Sequence, residues 1–368
     1  MKSFCIKIIN KISNPKIFVI IISWMIILVI IGTISQKYIG LYASQNKYFF
    51  SKILWFGYLP LPGGLTTMIL MSINLSSFFF KKNIWNKKKF GIITVHLGTL
   101  LLLYGGGITY FFNKEGSMIL TTKQTNSNYI QSYHDKEFVI IDIDTYKDSL
   151  EFINFNEQSL KPGKKITYDN IPFEIEIIQY CQNSILIEDT DTPSMECINS
   201  EIEDSENKTG VQYYLKSTNI KNNHINGTYI SRVNSNNNSE NIVIDDKRYI
   251  ILLQPKRTYL PFTIELINVN RTLYPNSQIP KSYSSEINVL DEQLSRRDII
   301  EMNAPLRYKG YTFYQAHYEE NKATGLKVSV LAVVKNYGRL FPYISSIIMC
   351  IGILLQMIMR LPKLFKET

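Results

Sequence analysis

Four long apolar runs interrupt an otherwise polar chain, at residues 17–34, 63–80, 90–112 and 340–359. Crossing a hydrocarbon core of roughly 30 Å takes about 20 helical residues, so each run predicts a transmembrane helix. Between the third and fourth runs the pattern changes. Residues 138–143, 172–178, 249–253 and 262–266 combine β-branched residues with a partial two-residue period, which predicts half-buried strands. Asn, Asp, Gly and Pro separate them, so this stretch predicts a β-rich domain of sandwich or barrel-like form. One helix is expected within it, over residues 291–302. The predicted organisation is a membrane region with three helices (1–112), a β-rich extracytoplasmic domain (113–339), and a final helix with a short tail (340–368).

Punctuation refines this outline. Trp55-Phe56-Gly57-Tyr58-Leu59-Pro60-Leu61-Pro62-Gly63-Gly64 joins the first two runs: aromatic, then rich in helix breakers. It reads either as a simple interfacial re-entry or as an element shaping a site at the outer face. Asn113-Lys114-Glu115-Gly116 reads as a polar turn after the third run. The stretches 199–209 and 234–241 are too polar to bury and are expected as exposed loops.

The formal charge of +9 could suggest nucleic acid, but the basic residues cluster beside the apolar runs. Lys2, Lys7, Lys11 and Lys16 precede the first. Lys81, Lys82, Lys87, Lys88 and Lys89 lie between the second and third, and Arg360, Lys363 and Lys366 follow the fourth. Such flanks mark cytoplasmic segments. Four crossings then leave both termini cytoplasmic and the β-rich domain outside. The first run lacks a small-residue cleavage site and is expected as an uncleaved anchor.

His96 sits inside the third run, which is otherwise uncharged. An imidazole within a bilayer is costly and commonly faces a partner, a pathway or a cofactor, and neutral imidazole is a good ligand of haem iron. The plainer reading is a histidine hydrogen-bonded to its own helix. Gly91, Gly98 and Gly105 recur every seven residues, on a stripe about 160° from His96. This stripe is expected to pack against the chain's own helices, leaving the face with Thr99, Leu103 and Gly107 for a haem or another subunit. The other histidines, His134, His224 and His317, fall in the β-rich stretch. A membrane haem with two histidine ligands would therefore need a second chain.

Four cysteines are present. Cys5 and Cys350 belong to the membrane region, whereas Cys181 and Cys197 face the oxidising side and could form a disulfide. No C-x-x-C or C-x-x-C-H occurs, which argues against a thioredoxin-like reductant and against a c-type cytochrome.

Several of these motifs fall in a known order. Leu59-Pro60-Leu61-Pro62-Gly63-Gly64, Val95-His96-Leu97-Gly98, Glu115-Gly116, and Leu306-x-Tyr308-x-Gly310-Tyr311-x-Phe313-Tyr314-Gln315 together resemble the ResB/CcsB-like cytochrome c biogenesis proteins. The resemblance implies a subunit of the system II synthase in the bacterial inner membrane or the thylakoid. With a CcsA-like membrane protein, such a subunit supports haem export and haem attachment to apocytochrome c, whose thiols a separate reducing system maintains. It also implies that His96 is an axial ligand of a membrane haem b. The chain holds only Trp24, Trp55 and Trp85 and lacks the partner's tryptophan-rich segment, so it is expected as part of a haem lyase complex with no catalytic residue of its own. The competing expectation is a membrane-anchored binding or assembly scaffold without haem.

Overall fold

The computed structural model describes residues 2–81, 84–122, 127–144, 149–168, 171–187, 193–233, 239–244, 247–292, 294–321 and 325–364. Lys82, Lys366 and positions 234–238 of the Asn-Ser stretch lie outside them. The chain divides into two compact units, Met1–Lys114 with Lys335–Thr368, and Glu115–Val334.

The first unit is helical. A short helix, α1 (Lys2–Ile12), precedes α2 (Pro15–Ile39). Asn14 caps α2 by accepting from the Lys16 amide, and Pro15 opens it, where a missing N–H costs nothing. After α2 the chain folds back through α3 (Leu41–Ser44) and a π turn, Gln45–Phe49. The Ser44 hydroxyl donates to the Gly32 carbonyl at 2.6 Å, and a Cβ at Gly32 would meet the Phe49 ring at 2.5 Å.

The aromatic linker forms a hairpin of β1 (Ile53–Phe56) and β2 (Leu59–Pro62), turned at Gly57 with φ of 61°. Trp55, Phe56 and Tyr58 stand exposed at its tip, the composition of a membrane–water boundary. The Trp24 indole donates to the Pro62 carbonyl at 2.8 Å and ties the hairpin to α2. Next come α4 (Gly64–Phe79), α5 (Phe90–Phe112) and, after the β unit, α6 (Phe341–Leu364). Among the described residues three helices, α2, α5 and α6, are long and apolar enough to cross a membrane. The second predicted span, α4, has 16 residues, about 24 Å of helix, short of the ~30 Å core.

The second unit is built from strands. In chain order they are β3 (Lys114–Thr121), β4 (Ser127–Asp144), β5 (Ser149–Asn156), β6 (Lys165–Ile166), β7 (Phe173–Cys181), β8 (Ser184–Ile187) and β9 (Ser194–Cys197). There follow β10 (Gly210–Ser217), β11 (Gly227–Arg232), β12 (Ser239–Ile244), β13 (Lys247–Leu273), β14 (Pro280–Asp291), β15 (Leu294–Glu301), β16 (Leu306–Tyr308), β17 (Tyr311–Asn321) and β18 (Leu326–Lys335).

A ten-stranded sheet runs β15-β14-β13-β4-β3-β18-β17-β16, with β5 and β12 paired to β4 and β13; a four-stranded sheet runs β11-β10-β7-β6. Two cores result. Phe138, Ile140, Ile175, Ile177, Tyr213, Leu215, Tyr249 and Ile251 fill a sandwich between the sheets. Met118, Ile130, Phe262, Ile264, Ile287, Phe313 and Leu331 fill the interior of the larger sheet, which curls until β15 and β16 nearly close it into a barrel. The unit is thus both a sandwich and barrel-like.

Three local expectations are corrected. The strands expected at 249–253 and 262–266 are halves of the 27-residue β13, which serves both cores; its pairing shifts near Pro255 and between Tyr259 and Ile264, where the strand bends. The expected helix at 291–302 is β15, paired along β14 from Ser284↔Glu301 to Asp291↔Leu294. Cross-strand pairing and burial of Ile300 outweigh the helical reading of its charged residues. The polar turn expected at 113–116 is absent. Asn113 caps α5, β3 begins at Lys114, and Gly116 lies so close to β4 that a Cβ would meet the Gln131 carbonyl oxygen at 2.2 Å.

Candidate functional site

The site begins with how α5 is held. A Cβ at Gly91 would lie 2.6 Å from the Gln356 backbone nitrogen, one at Gly98 3.0 Å from the Ser345 carbonyl oxygen, and one at Gly105 2.3 Å from Phe341 Cβ. The glycine stripe therefore packs α5 directly against α6, antiparallel, as small residues allow in helix pairs lacking a hydrophobic driving force. Gln356 Oε1 also accepts from the Ile92 amide at 3.2 Å.

The face expected to be free is only partly so. Leu103 and Gly107 border a 760 Å³ apolar groove together with α2 and α4, and added Cβ atoms at Gly106 and Gly107 would meet nothing within 4 Å. Thr99 turns its hydroxyl to the Val95 carbonyl and the Met349 sulfur, and borders a separate groove beside His96.

His96 is half-buried on this helix. The Ile92 carbonyl lies 2.8 Å from Nδ1 and can only accept, so Nδ1 carries a hydrogen and Nε2 is the nitrogen left for another partner. The Phe78 ring of α4 stacks on the imidazole at 4.2 Å and 12°. Stacking covers a ring face and leaves the nitrogen edge open. Two grooves border the residue: one of 360 Å³ beside Asn74, Phe78 and Ser13, and one of 340 Å³ beside Ile353, Met357 and Arg360. An imidazole tethered through Nδ1 to a backbone carbonyl has the posture that metal-binding histidines adopt. It also satisfies the plainer expectation of a histidine bonded to its own helix, which leaves Nε2 unused.

Asn74 anchors α4 beneath the site, its amide donating to the carbonyls of Ile12 and Asn14, while Lys81 Nζ donates to the Ser13 carbonyl at 2.8 Å. Sequence reading missed Phe78, Asn74 and Arg360 as site neighbours. Asn74, a polar residue within an apolar run, carried the one available signal.

The remaining histidines belong to the β unit and do not gather. His134 Nδ1 pairs with Asp204 at 2.6 Å, His317 Nε2 faces Glu319 at 3.2 Å, and His224 lies in a 3-10 turn. Among the described residues no cluster of three His, Cys, Asp or Glu side chains could hold a metal ion. Cys181 of β7 and Cys197 of β9 are joined in a disulfide with Cα atoms 5.2 Å apart, and Cys350 is an exposed free cysteine.

The motif before the last helix is structural. Tyr308 donates to Asp291 at 2.6 Å, Lys309 and Gly310 turn the chain at φ of 46° and 83°, and Tyr311 and Phe313 enter the barrel core beside Phe262. Gln315 joins Ser285 and Ser329 in a buried network. The hydrogen bonds from Lys309 and Tyr308 hold the Asp291 carboxyl below the usual aspartate range.

The β unit also has a polar cavity of 690 Å³ bordered by Lys136, Glu157, Lys161, Tyr180 and Lys256. Burial pushes the Tyr180 phenol well up, with the Glu157 carboxylate adding to it, and burial draws the Lys136 ammonium down.

Residues 224–332, from the turn before β11 into β18, match the model of the ResB-like family. The chain is also 26% identical over 117 residues to Protein NrfI of Wolinella succinogenes, an alignment covering 31% of this chain and 12% of that protein. Both likenesses agree with the resemblance to ResB/CcsB-like proteins carried by the motif order, and the relative's alignment spans about an eighth of that protein's length.

Proposed function

We propose that the chain is a subunit of a cytochrome c maturation complex of the system II type, with His96 as one axial ligand of a haem b held within the membrane. The supporting observation is the posture of His96, tethered at Nδ1, stacked on Phe78 and keeping Nε2 available between two largely apolar grooves. The ResB-like segment supports the wider assignment to cytochrome c biogenesis.

The residues present fit the group. A six-coordinate iron needs a second ligand, and the other three histidines belong to the β unit, so a CcsA-like membrane protein supplies it. Bound haem supplies the vinyl groups that are joined to apocytochrome c thiols. This chain's own residues hold and orient: the Ile92 carbonyl sets the tautomer, Phe78 sets the ring plane, and the groove walls exclude water. The ligation falls to the partner, with reduced thiols from a separate system. In this reading α4 also crosses, as the shortest span, so that four crossings leave both termini cytoplasmic and the β unit outside, at the bacterial inner membrane or the thylakoid, as a scaffold for the apocytochrome.

The test is to purify the chain with its multi-span neighbour and record the pigment. His96→Ala is expected to remove the haem absorption and the cytochrome c yield while leaving the amount of both chains unchanged. An unaltered spectrum in that variant overturns the assignment.

A further inference from the structure

We infer that Arg360 binds the anionic edge of the ligand held at His96; this rests on the haem reading and names the carboxylate end of the same site. In the α5–α6 register Gly91 faces Gln356, Gly98 faces Met349 and Gly105 faces Phe341. Continued along both helices, that register sets His96 level with Ile351. Arg360 stands nine residues further along α6, about 13 Å at roughly 1.5 Å per residue.

Helical side chains lean toward the N-terminus of their own helix. For Arg360 that direction is back toward the level of His96. The two residues border one groove of 340 Å³, whose wall between them includes Val95, Ile353 and Met357. Gln356, at the same groove, already accepts from the Ile92 amide. Among the described residues no carboxylate pairs with Arg360. The trough thus has the His96 imidazole at one end, apolar walls along it and the Arg360 guanidinium at the other.

A planar apolar ligand with its metal at the centre and carboxylates on one edge matches that order of groups. Haem is such a ligand, and guanidinium receives a carboxylate through two parallel hydrogen bonds. The groove is smaller than a whole porphyrin, so the ring extends beyond it, toward the chain that brings the second ligand. If Arg360 served only as a positive flank of the last helix, any cation would do and the ligand's carboxylates would be irrelevant.

The test compares two ligands in the assembled complex. The chain is purified with its membrane neighbour from haem-deficient cells and titrated, by absorption, with haem and with haem dimethyl ester, whose propionates are capped. Arg360→Ala is expected to weaken haem about tenfold or more, the worth of a charge-assisted hydrogen bond, and to leave the ester unchanged. Arg360→Lys is expected to recover part of the loss. Equal weakening of both ligands, or no weakening of either, overturns the inference. If His96→Ala leaves haem affinity unchanged, the parent reading falls as well, and a complex that binds neither ligand removes both.

Discussion

In the β unit, Tyr311, Phe313 and Gln315 of the family-like motif are turned into a closed core, whereas in the helical unit His96 stays half-buried between two grooves with a ring nitrogen to spare. The stretch that matches the ResB-like family, 224–332, lies wholly in the first of these regions. The residue with the clearest chemistry lies in the second. The matched segment and the candidate ligand therefore occupy different units: a barrel core constrains many side chains at once, while a ligand position constrains one.

That contrast can be broken by experiment. Phe313→Ala opens the barrel core and is expected to cost the β unit about 3–5 kcal/mol, read as a lower unfolding temperature, with the haem spectrum retained. Loss of haem while the β unit remains folded would break the separation. Cys181→Ser releases the disulfide across 16 residues and is expected to cost about 2–3 kcal/mol, again without a spectral change.

Within the helical unit, Gly98→Leu forces α5 from α6 and is expected to cost about 1–3 kcal/mol in detergent unfolding. Gly106→Ala, facing open space on the same helix, is expected to stay within about 0.5 kcal/mol. Similar losses at both glycines would deny that the two faces of α5 differ.

The smallest effect concerns acid. The Asp291 carboxyl is depressed in the folded β unit, so its stabilisation is present above the unfolded value near 3.8 and is lost as pH falls through the lower folded value. Asp291→Asn is expected to flatten the fall in unfolding temperature below about pH 4. An unchanged acid limb would remove Asp291 from the account.

Much of this was legible in the sequence for identifiable reasons. The limits of α5 coincide with the third apolar run because charged Lys89 and polar Asn113 bracket it, and the glycine stripe announced its own packing. The fold-back after α2 was not legible. It depends on Ser44 meeting Gly32 and Trp24 meeting Pro62, contacts between residues 12 and 38 positions apart.

Prolines made β13 look like two strands, since Pro255 and Pro261 interrupt the alternation at the places where the pairing with β4 shifts. The helical reading of 291–302 failed because only the neighbouring β14 reveals Ile300 as a core position. At the site, His96 stood out as an imidazole in an apolar run. Phe78 and Arg360 did not, because an aromatic among aromatics and a cation after a membrane helix are ordinary until the helices are packed.

The measurement closest to the central claim is imidazole rescue of a His96→Gly variant, purified with its membrane neighbour and followed by low-temperature electron paramagnetic resonance. A ligand role requires that removing the ring converts low-spin haem to a high-spin or empty form and that added imidazole restores the low-spin signal. A low-spin signal that persists in His96→Gly without imidazole would contradict the account.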